Sequence, residues 1–162
     1  MKDGKAYASL IKEKLEFFPE HAASMEEEQI RWKPSEEEWS IMELLCHVEE
    51  FPLYFTNELV NVVDGKNETW GRNVKHEGRL QAVDAADQRN VDDVLKGMEE
   101  TKKTTVSCLE RISAEDLRIE KPHNISKFGT KSMEFLVEHF LVEHLDTHQN
   151  QFNRIVSQYE DR

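Results

Sequence analysis

Between residues 135 and 155 the chain reads FLVEHFLVEHLDTHQNQFNRI, and this stretch restricts the fold more than any other. On a helix turning ~100° per residue, His144 and His148 stand one turn apart on the same face. Met133, Val137, Phe140, Gln151 and Ile155 all project within roughly 40° of His144. Two imidazoles therefore occupy the middle of an apolar stripe, whereas His139 falls about 140° away on the polar face. The fold must bury that stripe, and it must also give the imidazoles hydrogen-bond partners or a metal ion. A buried polar group with neither is costly.

Three more apolar stripes of helical period precede this one. Tyr7, Ile11, Leu15, Phe18, Ala22 and Met25 share one face of a first helix over 5–28, and their phase survives Pro19, which predicts a bend there. Trp32 and Trp39 then flank a turn at Pro34 and Ser35, with Ser35 and Glu38 able to cap one short helical turn. A second helix starts at Ser40, with Glu43 in the capping-box position. Its stripe runs through Ile41, Leu44, Val48, Phe51, Phe55 and Leu59, with a bend expected at Pro52. The third helix starts after Asn90 and buries Val94, Met98, Thr105 and Leu109, with Lys102 on the same face. The fourth is capped by Thr130 or Ser132 and runs to about residue 158.

With 162 residues, the chain has enough material for one cored domain, spanning 1–162. Six glycines and four prolines leave the helices long. The expectation is an all-α four-helix bundle with long connections after the second and third helices, over 63–89 and 113–129, and no strand pair. The first of these connections lacks periodicity, and a loop of that length in a small domain is either mobile or functional.

A net charge of −12 opposes partnership with nucleic acid or an anionic membrane. Cys46 and Cys108 have no framework spacing and read as two reduced thiols. The N-terminal residues have no signal-peptide core and no later run approaches a membrane span, so a cytoplasmic location is expected.

Chemistry concentrates in the histidines. His144 and His148 are either core histidines bonded to carboxylates or carbonyls, or ligands of a metal. His47 lies about 100° from the centre of the second stripe, a border position that taken alone suits a surface histidine better than a ligand. The residues between His144 and His148 are Leu145, Asp146 and Thr147, so the zincin HExxH pattern is absent. No glycine-rich phosphate loop, nucleophile elbow or Cys-x-x-Cys occurs.

Two segments carry a resemblance. WKPSEEEWSIMELLCHV, from Trp32 to Val48, resembles the second-helix region of the DinB/YfiT-like superfamily, with its Pro-x-x-x-x-Trp-Ser-x-x-Glu-x-x-x-His pattern. EHLDTHQNQ, from Glu143 to Gln151, is similar to that superfamily's fourth-helix Glu-His-x-x-x-His-x-x-Gln. The resemblance extends to the four-helix pattern of the whole chain. It implies a site for a divalent metal, zinc or nickel first, held by His47, His144 and His148. Neutral imidazoles suit such metals, and three protein ligands leave a coordination position open. Glu43, Glu50, Glu143 and Gln151 are then candidates to orient the imidazoles from behind. The resemblance further implies a homodimer and a metal-dependent hydrolase or small-thiol S-transferase acting on an unidentified small molecule. The alternative is a non-catalytic metal-binding or stress-associated dimeric bundle protein.

Overall fold

The computed structural model describes residues 2–162; Met1, part of the single domain expected over 1–162, lies outside the described residues. Among these residues, no helix is long and apolar enough to cross a membrane. The helices are α1 (Gly4–Ala22), α2 (Glu27–Arg31), α3 (Ile41–Val63), α4 (Glu77–Asp84), α5 (Val91–Glu110), α6 (Met133–Val137) and α7 (His144–Glu160). A six-residue π-helical turn, Glu138–Glu143, joins α6 to α7.

The fold is a four-helix bundle formed by α1, α3, α5 and the composite helix α6–α7. Helix α1 packs on α5 and α7, and α3 packs on the same two. The core comes from the stripes read in the sequence. Ile11 and Phe18 of α1, Leu44, Phe51 and Leu59 of α3, Leu109 of α5, and Phe152 of α7 are all fully buried. Phe17, Phe18 and Phe152 meet edge to face, which adds quadrupole attraction to the area they remove from water.

The helix starts follow their capping residues. Ser40 accepts from the Glu43 amide while the Glu43 carboxylate accepts from the Ser40 amide, both at 3.0 Å. Asn90 accepts from the Asp92 amide at 2.8 Å, and Ser132, not Thr130, accepts from Phe135 at 3.2 Å. Because Ser40 is buried, its partner amide has no water to fall back on. Ser40→Ala is expected to lower stability by about 1–2 kcal/mol, read as a lower urea midpoint at unchanged slope. A cost of only a few tenths would mean that the cap does not hold this end of α3.

Several boundaries differ from expectation, each for a local reason. Helix α1 passes through Pro19 and ends at Ala22, after which a separate short helix, α2, takes up Glu27 to Arg31. At 35–38 there is a single turn closed from Glu38 to Ser35 rather than a short helix. The 63–89 connection is not wholly irregular, for it contains α4, which buries none of its residues and so leaves no apolar period to read. A strand pair also exists. Strand β1 (Glu120–Pro122) runs antiparallel to β2 (Thr130–Ser132), with Lys121 opposite Lys131. Three residues of EKP and three of TKS are too short and too polar to show alternation.

This small ribbon ties the two long connections together. Trp70 bridges to His123, donates its indole N–H to the Lys121 carbonyl at 2.9 Å and is fully buried. Asn124 donates from its backbone to Trp70 and from its side chain to the Gly71 carbonyl, at 2.7 and 2.8 Å. The 63–89 connection is thereby held over the end of α3 and against Phe140 of the π turn.

Candidate metal centre

Helix α3 presents His47, and α7 presents His144 and His148. Each offers a nitrogen, and the three nitrogens lie within 4.8 Å of one another. The Nε2 atoms of His47 and His144 face each other at 3.4 Å. Behind them, His144 Nδ1 donates to the Phe140 carbonyl at 3.2 Å, and His148 Nδ1 bonds Gln151 Oε1 at 2.8 Å. A carbonyl only accepts, so in both rings Nδ1 carries the proton and the Nε2 lone pair faces inward.

The π turn contributes to this arrangement. It directly precedes His144, whose amide bonds the Leu141 carbonyl, while the Phe140 carbonyl takes the His144 side chain. A uniform 100° wheel cannot anticipate such a turn, and widened turns of this kind favour functional positions.

Burial keeps the rings neutral. It drives the pKa of His47 down to about 2, with the neighbouring His148 and His144 adding to the effect. Burial, followed by the His148 charge, takes His144 to about 3, and burial also lowers His148. His47 is 1% exposed, so the border position on its wheel proves to be interior. The reason is tertiary: Trp39, from the turn before α3, closes over it with ring centroids 5.2 Å apart. Trp39 also lies nearly parallel to His148, and Phe51 stacks on His144 at 3.9 Å.

The carboxylates expected behind the imidazoles are engaged elsewhere. Glu43 closes the α3 capping box, Glu50 forms a two-pronged pair with Arg72 at 2.5 and 2.7 Å, and the exposed Glu143 bonds His139. Of the four candidates, Gln151 alone reaches one of the three converging imidazoles. Lys102, on the α5 face, pairs with Glu16 and Glu99.

The donor set fits a cation. His47 Nδ1 and His148 Nε2 are buried without a hydrogen-bond partner, and the one bond among the rings is long. A single cation among the three inner nitrogens would satisfy His148 and replace that weak bond. Three neutral imidazoles suit zinc or nickel. No Asp, Glu or Cys among the described residues joins the cluster.

Two openings reach it. A cavity of about 130 Å³ lies over His47 and His144, walled by Phe55, Arg72, Arg79 and Phe140. A cleft of about 340 Å³ runs along Trp39, His148 and Gln151, again with Arg79 in its wall. Larger grooves of about 560 and 570 Å³, between α3 and α5 and between α1 and α5, hold no converging imidazoles. Arg72 and Arg79 had no signal in the sequence beyond lying in the long connection.

A histidine from the second helix of the bundle and two from the last, converging at one point, match the pattern that the two sequence segments share with a known family. The DinB superfamily model covers residues 12–152. This chain belongs to the DinB superfamily. No curated protein sequence matches it. Its bundle is similar to YfiT from Bacillus subtilis, described as a probable metal-dependent hydrolase with an unusual four-helix bundle topology. That similarity has a TM-score of 0.79 at 9% identity, over 97% of this chain and 87% of YfiT. It is also similar to a mycothiol-dependent maleylpyruvate isomerase, with a TM-score of 0.64 at 14% identity, over 85% of this chain and 57% of the isomerase. At such identities the likeness establishes the DinB fold, and activity has to be argued from the site.

Proposed function

We propose that this DinB-family protein is a metal-dependent enzyme that acts on a small molecule by hydrolysis or by transfer to a small thiol. One observation carries this reading. Three neutral imidazoles, His47 and His148 buried and His144 half-buried, converge with no fourth protein ligand among the described residues, and the open side of the cluster meets a cavity. Zinc or nickel held by His47, His144 and His148 would supply Lewis acidity to a water or a thiol at its open position. The chain's own residues do the remaining work. Gln151 and the Phe140 carbonyl fix two ring orientations, Trp39 and Phe51 keep water from the ring faces, and the Arg72–Glu50 pair fastens the connection that walls the cavity. The descriptions of YfiT and of the mycothiol-dependent isomerase are consistent with either reaction.

Metal analysis by mass spectrometry on tag-free protein tests the reading. About one equivalent of zinc or nickel is expected in the wild type, falling at least about tenfold in His47→Ala and in His144→Ala, since each removes one of three ligands. The loaded protein is then the one to screen for hydrolysis and thiol transfer. Protein that stays metal-free after incubation with both ions would remove the basis for the proposal. The homodimer belongs to the same proposal, and sedimentation velocity tests it.

A further inference from the structure

Arg79 is the one residue that lines both openings to the three histidines. It comes from α4, in the long connection, and its guanidinium carbon lies 5.6 Å from the Trp39 ring centroid. Its Nη1 donates to the Val74 carbonyl at 3.0 Å, yet no carboxylate among the described residues lies within ion-pair distance. Two neighbouring arginines are matched, Arg72 by Glu50 and Arg89 by Glu49, whereas Arg154, at the rim of the wider cleft, is exposed to solvent. Burial, and then the charge of Arg72, push the Arg79 pKa below the usual guanidinium value. Glu37 and Glu38 are exposed on the rim of the wider cleft, where Arg154 also stands, and neither glutamate pairs with Arg79.

The charges around the cluster therefore do not balance. At the inner opening, three neutral rings, a neutralised Arg72–Glu50 pair and the half-buried Arg79 leave one positive charge, which a divalent metal would increase, while the exposed Glu37 and Glu38 stand only at the rim of the wider cleft, beside Arg154. A cation held in low dielectric without a counter-charge is unfavourable until an anion arrives. The planar fork of a guanidinium matches a carboxylate with two parallel hydrogen bonds. The cleft volume of about 340 Å³ suits a small organic molecule.

We propose that Arg79 is the carboxylate receptor of this site, so that the substrate or the co-substrate thiol is a small carboxylate-bearing molecule. Its carboxylate pairs with Arg79 while its reacting end lies at the histidines. This assignment rests on the metal-enzyme reading for its catalytic meaning, but carboxylate binding by Arg79 can be measured without metal.

The test is titration of ¹⁵N-labelled protein with propionate, and with propanamide as its uncharged analogue, in metal-free and zinc-loaded forms. The readouts are the Arg79 Nε–H and Trp39 indole N–H resonances. Propionate is expected to give saturable shifts at both and propanamide none. Arg79→Gln should weaken propionate at least about tenfold, Arg79→Lys should recover part of the loss, and Arg154→Gln should leave it unchanged. Thermal midpoints show whether Arg79→Gln remains folded, as its partly exposed position predicts. Equal affinity for propanamide, unaltered affinity in Arg79→Gln, loss that follows Arg154 instead, or no saturation in either form would overturn the assignment. Saturable, Arg79-dependent binding in a protein that takes up no zinc would uphold the carboxylate site and discard the metal reading.

Discussion

Acidifying the metal-free protein from about pH 7 to about pH 5 is expected to lower its unfolding free energy by about 4 kcal/mol through His47 and His144 alone. Both have folded pKa values far below the ordinary value of 6.5, at about 2 and about 3, chiefly because burial disfavours the charged ring. Above the unfolded pKa, the rings are neutral in both states and contribute no pH dependence. As pH falls through the unfolded value, the unfolded chain takes up protons that the fold excludes, so stability drops. The drop continues until pH reaches the folded values. Each ring contributes up to about 1.4 kcal/mol per pH unit in that window. His148 and His123, both lowered chiefly by burial, act in the same direction.

Carboxylates titrate mostly below this range, so the interval from about pH 7 to about pH 5 isolates the histidines. Urea unfolding of chelator-treated protein at stepped pH measures the effect. His47→Leu should reduce the pH dependence by about 2 kcal/mol. A stability that is flat across the interval would show that the cluster opens and admits protons in the fold. Saturating metal binds the folded state and adds stability at neutral pH, and protons compete for the same nitrogens. The loaded protein should therefore show a steeper loss over the same interval.

What the sequence could and could not reveal divides along physical lines. The four long helices were legible because each buries one face, and a buried face leaves a period: Ile11, Phe18, Phe51 and Leu109 were all assigned to the core from spacing. His144 and His148 were legible for the same reason. His47 was legible only through the family resemblance and not from its wheel, because a single-helix wheel cannot include a tryptophan arriving from the preceding turn. Neither the π turn nor the strands β1 and β2 left a trace, the former because it changes the period itself and the latter because three polar residues carry none. Glu50 was placed near His47 by helix geometry, but the stronger partner was a guanidinium more than 20 residues onward, and only tertiary structure brings it within reach. The three carboxylates each found a different partner, Glu50 a guanidinium, Glu43 the Ser40 amide of its own capping box and Glu143 the exposed His139 one turn away.

The second large effect concerns the clasp that holds the arginine-bearing connection in place. Trp70→Ala is expected to cost about 3–5 kcal/mol, since it empties a fully buried indole site. The indole packs edge-on against His123 at 4.6 Å and Phe140 at 5.4 Å, and its N–H satisfies the Lys121 carbonyl. Trp70→Phe should cost less, because it keeps most of the apolar volume and gives up the hydrogen bond. Gly71→Ala should resemble the larger loss. Its φ of +91° disfavours a side chain, and a Cβ there would stand 2.1 Å from His123 Nε2. Amide exchange should accelerate over 63–89 and 120–132 first, with α3 and α7 retaining protection. The three histidines lie on those two helices, and the clasp holds Arg72 and Arg79. Trp70→Ala protein that is still folded should therefore keep about one equivalent of metal and lose at least about tenfold in propionate affinity. If metal and carboxylate affinity fall together, the connection supports the imidazole cluster itself, and the division of labour between bundle and connection is wrong. If both survive, Arg79 is held by α4 without help from the ribbon.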